Sequence, residues 1–359
     1  MTLDAGGTNL VFSALRGGEE IVAPVACPSV VDDLDGALRV IAAGFETVRR
    51  ALPEPPAAIS FAFPGPADYA AGVIGDLPNF PAFRGGVALG PFLERRFGIP
   101  VFINNDGNLF AYGEALAGVL PEVNALLEKA GSPRRYRNLI GVTLGTGFGG
   151  GIVAGRELLC GDNQVGGYLW CLPNKRYPGM IAEESVSIRG VCRAYARLSG
   201  DSSGRTPKEI CDIADGLRPG DREAARAAFA ELGEVAGDAI ALAVTLVDGL
   251  VVIGGGLSGA SKYILPALMK ELRAETGMMN GCRFGRLQAQ PYNLEVPAER
   301  EAFLADDTCR VTVPGSDETV AYRNSRRIGI ALSRCGASRS IARGAYWLAV
   351  HELEKRKKL

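Results

Sequence analysis

Twice in this chain an apolar run breaks on a cluster of glycines and resumes almost at once. Near the start, Leu3 leads into Asp4-Ala5-Gly6-Gly7-Thr8-Asn9, after which residues 10–15 are mostly apolar. Far downstream, the apolar residues 139–144 lead into Gly145-Thr146-Gly147-Phe148-Gly149-Gly150-Gly151, and Ile152-Val153-Ala154 resumes the strand. Each reads as strand, tight turn, strand. A device repeated at such a distance predicts two related lobes. The length agrees, because 359 residues exceed what one compact core takes and fit two domains.

Between and after these hairpins, strand and helix patterns alternate. Residues 38–52 carry a helical period, and the apolar run 58–63 stops at Pro64-Gly65-Pro66. Val101-Phe102-Ile103 reads as a buried strand ending in Asn104-Asn105-Asp106, and a helical rhythm follows over 109–117. Residues 223–246 predict a long helix and 250–253 a strand, and Gly254-Gly255-Gly256 turns into a helix beginning near Ser258 or Ser261. The alternation argues for an α/β architecture. Residues 280–330 are less regular, with a hairpin expected from 310–313 and 319–322 around Pro314-Gly315-Ser316-Asp317.

Charge and composition remove several classes of function. Lys plus Arg (39) nearly equals Asp plus Glu (40), so there is no basic footprint for nucleic acid. The basic run Lys355-Arg356-Lys357-Lys358 suits the negative end of a helix dipole. The eight cysteines form no C-x-x-C pair and read as reduced thiols, which points to the cytoplasm. His351 is the one histidine, which excludes His-rich metal sites and disfavours Ser-His-Asp or Cys-His catalysis. No apolar run reaches membrane-spanning length, since residues 240–253 are broken by Asp248 and Gly249, and no leader precedes the first strand.

Phosphoryl transfer needs backbone N–H donors close to phosphate, a carboxylate for a metal-bound water, and a base for the acceptor hydroxyl. Gly6, Gly7 and Thr8 have the right character for the first need and Asp4 for a Mg²⁺ water, although a plain hairpin has the same composition. Gly145, Thr146 and Gly147 form a second such turn, with the Thr146 hydroxyl available to phosphate oxygens. Asp106 follows a buried strand among Asn105 and Asn108, where α/β sheets collect ligands. A general base for a sugar hydroxyl and a helix cap starting near Asn108 fit that position equally. Gly254, Gly255 and Gly256 would let a flat nucleotide approach the backbone, or simply make a strand-to-helix turn. Neither a dinucleotide fingerprint nor a G-x-x-x-x-G-K-[ST] loop is present.

Taken in order, these pieces resemble the ROK family of sugar kinases and repressors, from Leu3 to about Leu348. The resemblance rests on Asp4 to Asn9, on Pro64-Gly65-Pro66 with Asp68, and on Asn105-Asp106-Gly107-Asn108 with Glu114. Gly145-Thr146-Gly147 with Gly149-Gly150-Gly151, and Val252-Ile253-Gly254-Gly255-Gly256, complete it. It implies an α/β, two-lobed, actin-like (ribonuclease H-like) ATPase fold with an interlobe cleft. The smaller lobe is expected over 1–118, the larger over 119–340, and a C-terminal helix over 341–359 packing back on the first. It further implies Asp106 as catalytic base, Asn79 and Asn105 as sugar ligands, and the first two glycine turns, Asn9 included, as phosphate sites. Gly254 to Gly256 would face the adenosine, and ATP, Mg²⁺ and a homodimer are expected.

The chain departs from the family after Gly161. Where the family has Glu-x-Gly-His, this sequence has Gly167-Tyr168-Leu169-Trp170-Cys171, so Tyr168 stands for the Glu and Cys171 for the His. No cysteine occurs over 172–182, so no zinc site is expected. Glu183, or the adjacent Glu184, matches the family's next sugar-binding Glu, with Ser187 following. A tyrosine can donate to a hydroxyl and stack on a ring but cannot accept two hydroxyls as a carboxylate does. A hexose or modified hexose other than glucose is the expectation from that change. The first strand is also shorter than the family's, which suggests a native start upstream of Met1, and a start this short is expected to leave no room for the helix-turn-helix of the repressor branch.

Overall fold

The computed structural model describes residues 1–5, 9–76 and 81–358. The chain divides into two compact units, Met1–Gly118 with Gly151–Gly167 and Cys335–Leu359, and Val119–Gly150 with Tyr168–Arg334.

The first unit is built on a five-stranded sheet of β1 (Thr2–Ala5), β2 (Asn9–Ser13), β3 (Val25–Pro28), β4 (Ile59–Ala62) and β5 (Val101–Asn104), in the order β3-β2-β1-β4-β5. β1 pairs antiparallel with β2 and parallel with β4, and β4 pairs parallel with β5. The period-two alternation of a strand sorts β4 and its flanks onto two faces. Ile59, Phe61 and Phe63 enter an aromatic core with Phe12 and with Phe45 of α1 (Leu34–Ala51), and Phe12 meets Phe45 edge-on at 5.1 Å. Ala58, Ser60 and Ala62, all small, face the other way. After α2 (Leu89–Phe97) and β5 comes α3 (Asp106–Ala117), which packs on the C-terminal helix. The segment 151–167, expected by its place in the sequence to fold with 119–340, belongs to this unit because Gly151 lies against the start of α3. A methyl group at Gly151 would stand 2.5 Å from the Gly107 carbonyl oxygen.

The second unit opens with α4 (Val119–Lys129), β6 (Leu139–Leu144) and β7 (Phe148–Ala154), the last of which carries the chain on into the first unit. Here the structure corrects the sequence reading. β7 begins at Phe148 rather than at 152, so Gly149 to Gly151 lie within a strand and only Gly145 to Gly147 turn. The fully buried Phe148 side chain anchors the strand that early. Then follow α5 (Ile188–Ser199), α6 (Pro207–Asp215), α7 (Arg222–Val247), β8 (Leu250–Gly254) and α8 (Ser261–Leu272). The 280–330 region contributes β9 (Gln290–Asn293), α9 (Pro297–Leu304), the paired strands β10 (Thr308–Thr312) and β11 (Thr319–Arg323), and β12 (Arg327–Leu332). The main sheet runs β7-β6-β8-β12-β9, with β6, β8, β12 and β9 parallel. Asp221 caps α7 by accepting from the N–H groups of Glu223 and Ala224, and Phe229, Leu232, Val235 and Ile240 then bury its length in the core. α10 (Ala337–Lys358) returns the chain to the first unit. Among the described residues no helix is long and apolar enough to cross a membrane.

Burial pushes the phenols of Tyr112 in the first unit and Tyr136 in the second up to about 12. Tyr136 also donates its hydroxyl to the Arg327 carbonyl at 2.7 Å. An unfolded tyrosine releases its proton near pH ~10, whereas the folded protein holds both protons to about 12, so stability falls as pH rises through that window. Thermal midpoints measured from pH 9 upward should therefore decline more steeply in the wild type than in a Tyr112→Phe/Tyr136→Phe variant.

Candidate functional site

In the first unit the parallel strands bring three of the expected residues to one edge. Asp4 stands in register with Ala62, and Ala62 with Asn104, so the carboxyl ends of β1, β4 and β5 form a row. At ordinary strand spacing Asp4 and Asn104 are about 10 Å apart along it. Asn105 and Asp106 extend directly from the β5 end of this row. Asn9 opens β2, exposed, on the other side of the first hairpin. Gly6, Gly7 and Thr8 of that hairpin, and Asn79, lie outside the described residues.

The helix cap at this edge is Asn105, not Asp106, and α3 starts two residues earlier than the sequence suggested. Asn105 has extended backbone angles, and its Oδ1 accepts from Gly107 N–H at 2.9 Å. Asp106 is the first helical residue and is exposed, with Oδ1 also accepting from Gly107 N–H at 2.8 Å. A carboxylate in this first turn is favoured by the positive end of the helix dipole. With the cap role filled by its neighbour, Asp106 stands solvent-exposed at the first position of the helix.

Beneath the pair lies a buried polar network that the sequence only half announced. Asn104 Oδ1 accepts from Asn105 N–H at 2.8 Å and from Asn108 Nδ2 at 3.0 Å. Both Asn104 and Asn108 also direct Nδ2 at the Cys160 sulfur, at 3.8 and 3.9 Å. Burial pushes the Cys160 thiol up, so it is held neutral. The asparagines were visible as a polar cluster closing an apolar strand. Cys160 carried no signal, since its partners lie more than fifty positions away.

In the second unit two glycine turns meet. Thr143 of β6 is in register with Gly254 of β8, so Gly145-Thr146-Gly147 and Gly254-Gly255-Gly256 leave the carboxyl ends of adjacent parallel strands. Gly255 has φ +90°, and a methyl on it would stand 2.3 Å from the Leu144 carbonyl oxygen, so only glycine permits this approach. Nothing lies within 4 Å of where a methyl would sit on Gly145 or Gly256, which leaves their backbone open to a ligand. Thr146 is exposed at the tip, and Gly145 N–H closes the turn on the Gly147 carbonyl at 3.0 Å.

Glu183 is tied to this same turn. Its Oε2 accepts from Phe148 N–H at 3.0 Å and its Oε1 from Arg189 at 2.9 Å, while Glu184 pairs with Arg189 and Arg193. These two arginines hold the Glu184 carboxyl below its ordinary range. Tyr168 starts a short 3-10 turn, Leu169–Cys171, with its ring 6.2 Å from that of Trp170 and its carbonyl accepting from Cys171 Sγ at 3.1 Å. Among the described residues no three His, Cys, Asp or Glu side chains converge as a metal cage.

A profile of the ROK family matches residues 1–276. A solved structure of a glucokinase from Parabacteroides distasonis is 62% identical with a TM-score of 0.89, covering 98% of this chain and 96% of that one. The glucokinase of Streptomyces coelicolor is 29% identical over 201 residues, 50% of this chain, and the match spans only 59% of that protein. An N-acetyl-D-glucosamine kinase of Vibrio vulnificus is 27% identical over 316 residues, 78% of this chain and 97% of that protein.

Proposed function

Because the chain belongs to the ROK family and has its two-lobed, actin-like α/β fold, we propose that it transfers the γ-phosphoryl group of ATP to a hydroxyl of a hexose or modified hexose. The observation that carries this reading is the strand-end row of the first unit, in which Asn105 and Asp106 continue the line begun by Asp4. Asp106 accepts the proton of the sugar hydroxyl as that oxygen attacks, and Asn105 offers its amide N–H₂ to a neighbouring hydroxyl. Asn79 and Tyr168 complete the sugar contacts in this reading, and Glu183 acts on them or through the turn it grips.

On the nucleotide side, Gly6, Gly7, Thr8 and Asn9 with Gly145, Thr146 and Gly147 present N–H and hydroxyl donors to the phosphates. Gly254, Gly255 and Gly256 border the adenosine. Mg²⁺ keeps several waters and takes one or two carboxylates plus phosphate oxygens, a donor set that half-buried Asp4 at the strand edge fits. When bound, the metal neutralises charge on the phosphates, and the chain's own part is to hold donor, acceptor and base in line.

The substrate is where the residues and the relatives pull apart. Tyr168 in place of a carboxylate argues against ordinary glucose contacts, whereas the 62% identical relative is a glucokinase. The greater weight of a similarity spanning the whole chain puts glucose first and N-acetyl-D-glucosamine second. ADP release with MgATP should be measured against glucose, mannose, N-acetylglucosamine and N-acetylmannosamine. Sugar-dependent release with at least one of them is the expected result. ADP release unchanged by any sugar, with sugar still bound, would replace the kinase reading by a sensor.

A further inference from the structure

We infer that the second unit carries an anion site, separate from its glycine turns, for a small molecule bearing two or more phosphate groups. The site is a cavity of about 410 Å³ with nine lining residues, six of them arginine: Arg134, Arg135, Arg137, Arg323, Arg326 and Arg327. The chain as a whole has a formal net charge of −1, so this density of cations is local. Its volume falls in the range of about 300–1,000 Å³ usual for small-molecule pockets.

The topology explains both the cavity and its distance from the glycine turns. Its walls are the stretches that enter three parallel strands, residues 134–138 before β6, Asp248 before β8 and residues 323–327 at β12. The amino ends of those strands therefore face it, while the turns at Gly145 and Gly254 leave the carboxyl ends. Six residues of β6 separate the two edges, about 20 Å at strand rise.

The arginines divide into a frame and a free set. Arg134 donates to both carboxylate oxygens of Asp307, at 2.7 and 2.9 Å, and to the Ser325 carbonyl at 2.6 Å. Arg327 lies 3.5 Å from the same carboxylate and donates to the carbonyls of Ala302, Phe303 and Ala305. Burial pushes the Asp307 carboxyl up, but Ser325 and Arg134 outweigh it and hold the group well below the usual range, so it stays charged. Tyr136 joins the two segments through Arg327, and Asn124 clamps the Tyr136 main chain on both sides. On this rigid frame sit Arg137, Arg323 and Arg326, exposed, and among the described residues none of the three has a side-chain partner.

Charge balance decides the ligand's sign. The opposing groups are the Asp248 carboxylate and the carboxyl end of α7, worth about half a negative charge. Three free guanidinium groups exceed them, before Arg135 is counted. Packed arginines repel each other, and an anion among them removes that repulsion. The planar fork of arginine fits phosphate oxygens in pairs, and several forks around one cavity suit more than one phosphate group.

The test uses the full chain at low ionic strength without nucleotide, because ATP itself carries three phosphate groups and would compete for the arginines. Pyrophosphate and fructose 1,6-bisphosphate serve as the inorganic and organic probes, titrated by calorimetry against wild type and Arg137→Ser/Arg326→Ser. At least one probe should bind the wild type and lose tenfold or more in affinity in the variant, with melting temperature and KM for ATP unchanged. Equal binding by both proteins, or no binding of either probe by the wild type, overturns the proposal. Binding confined to a long RNA overturns it as well. Affinity is read directly, so the result is independent of whether any sugar is phosphorylated.

Discussion

Replacing Asp106 by Asn should lower sugar-dependent ADP release by about 10²–10⁴-fold, the range for loss of a positioned general base. That corresponds to about 2.7–5.4 kcal/mol of barrier. The fold should survive for reasons visible around the residue. Asn105 is the cap of α3 and keeps its bond from Gly107 N–H, so the helix start does not depend on the lost charge. An asparagine at 106 still offers an oxygen to the same N–H. Only the favourable meeting of carboxylate and helix dipole is lost, about 0.3–1 kcal/mol at an exposed position. An Asn before Gly107 is prone to deamidate back to a carboxylate, so Asp106→Ala belongs beside it in steady-state assays with thermal melts. If both variants keep more than a tenth of wild-type turnover, Asp106 is not the base, and the polar row at the strand ends needs another proton acceptor.

How much of this was legible in the sequence follows from which interactions are local. β4, β5 and β8 were readable because strands covered on both faces leave unbroken apolar runs bounded by glycine, proline or asparagine. The long helix α7 was readable because its burial repeats over many turns. β7 was misread at its start because four of its first residues are a phenylalanine and three glycines, a composition that signals a turn. What makes it a strand is a buried ring and a hydrogen bond that the Phe148 N–H donates to Glu183, thirty-five positions away. β12, with five of its six residues apolar or glycine, was lost inside an irregular stretch because its parallel partners β8 and β9 are distant in sequence. The assignment of 151–167 to the first unit rests on distant contacts such as Gly151 against the Gly107 carbonyl and Cys160 beneath Asn104 and Asn108, which no periodicity encodes.

The candidate site divides in the same way. The two described glycine turns and the Asn-Asp pair could be marked as candidates from residue types, because close backbone approach and proton transfer would demand those types. Their mutual placement came from strand register, as with Asp4, Ala62 and Asn104. The supporting groups, Cys160 beneath the asparagines and Arg189 behind Glu183, were not legible, because a second layer is chosen by geometry rather than by chemistry.

The contact that holds α3, and with it Asp106, should prove intolerant of a single methyl group. α3 and α10 cross at Gly113 and Gly344, each facing the other helix's backbone. A methyl on Gly344 would stand 1.8 Å from the Leu109 carbonyl oxygen, and one on Gly113 1.9 Å from that of Ser340. Alanine gains about 1 kcal/mol over glycine in helix propensity. Overpacking against a well-packed element costs about 1–3 kcal/mol and sometimes more. Here the obstacle is backbone on both sides, which cannot rotate away, and Ser340 Oγ donates to the buried Glu114 at 2.6 Å in the same crossing. The clash therefore wins, and Gly344→Ala should lower the melting midpoint of the first unit by several degrees. It should also reduce turnover, because parting the helices shifts the start of α3. Gly259→Ala, where a methyl meets nothing within 4 Å, should leave the midpoint near wild type. A Gly344→Ala protein that melts with the wild type and turns over sugar normally would mean the helices do not approach this closely. The positioning of Asp106 would then have to rest on β5 and the Asn104 network alone.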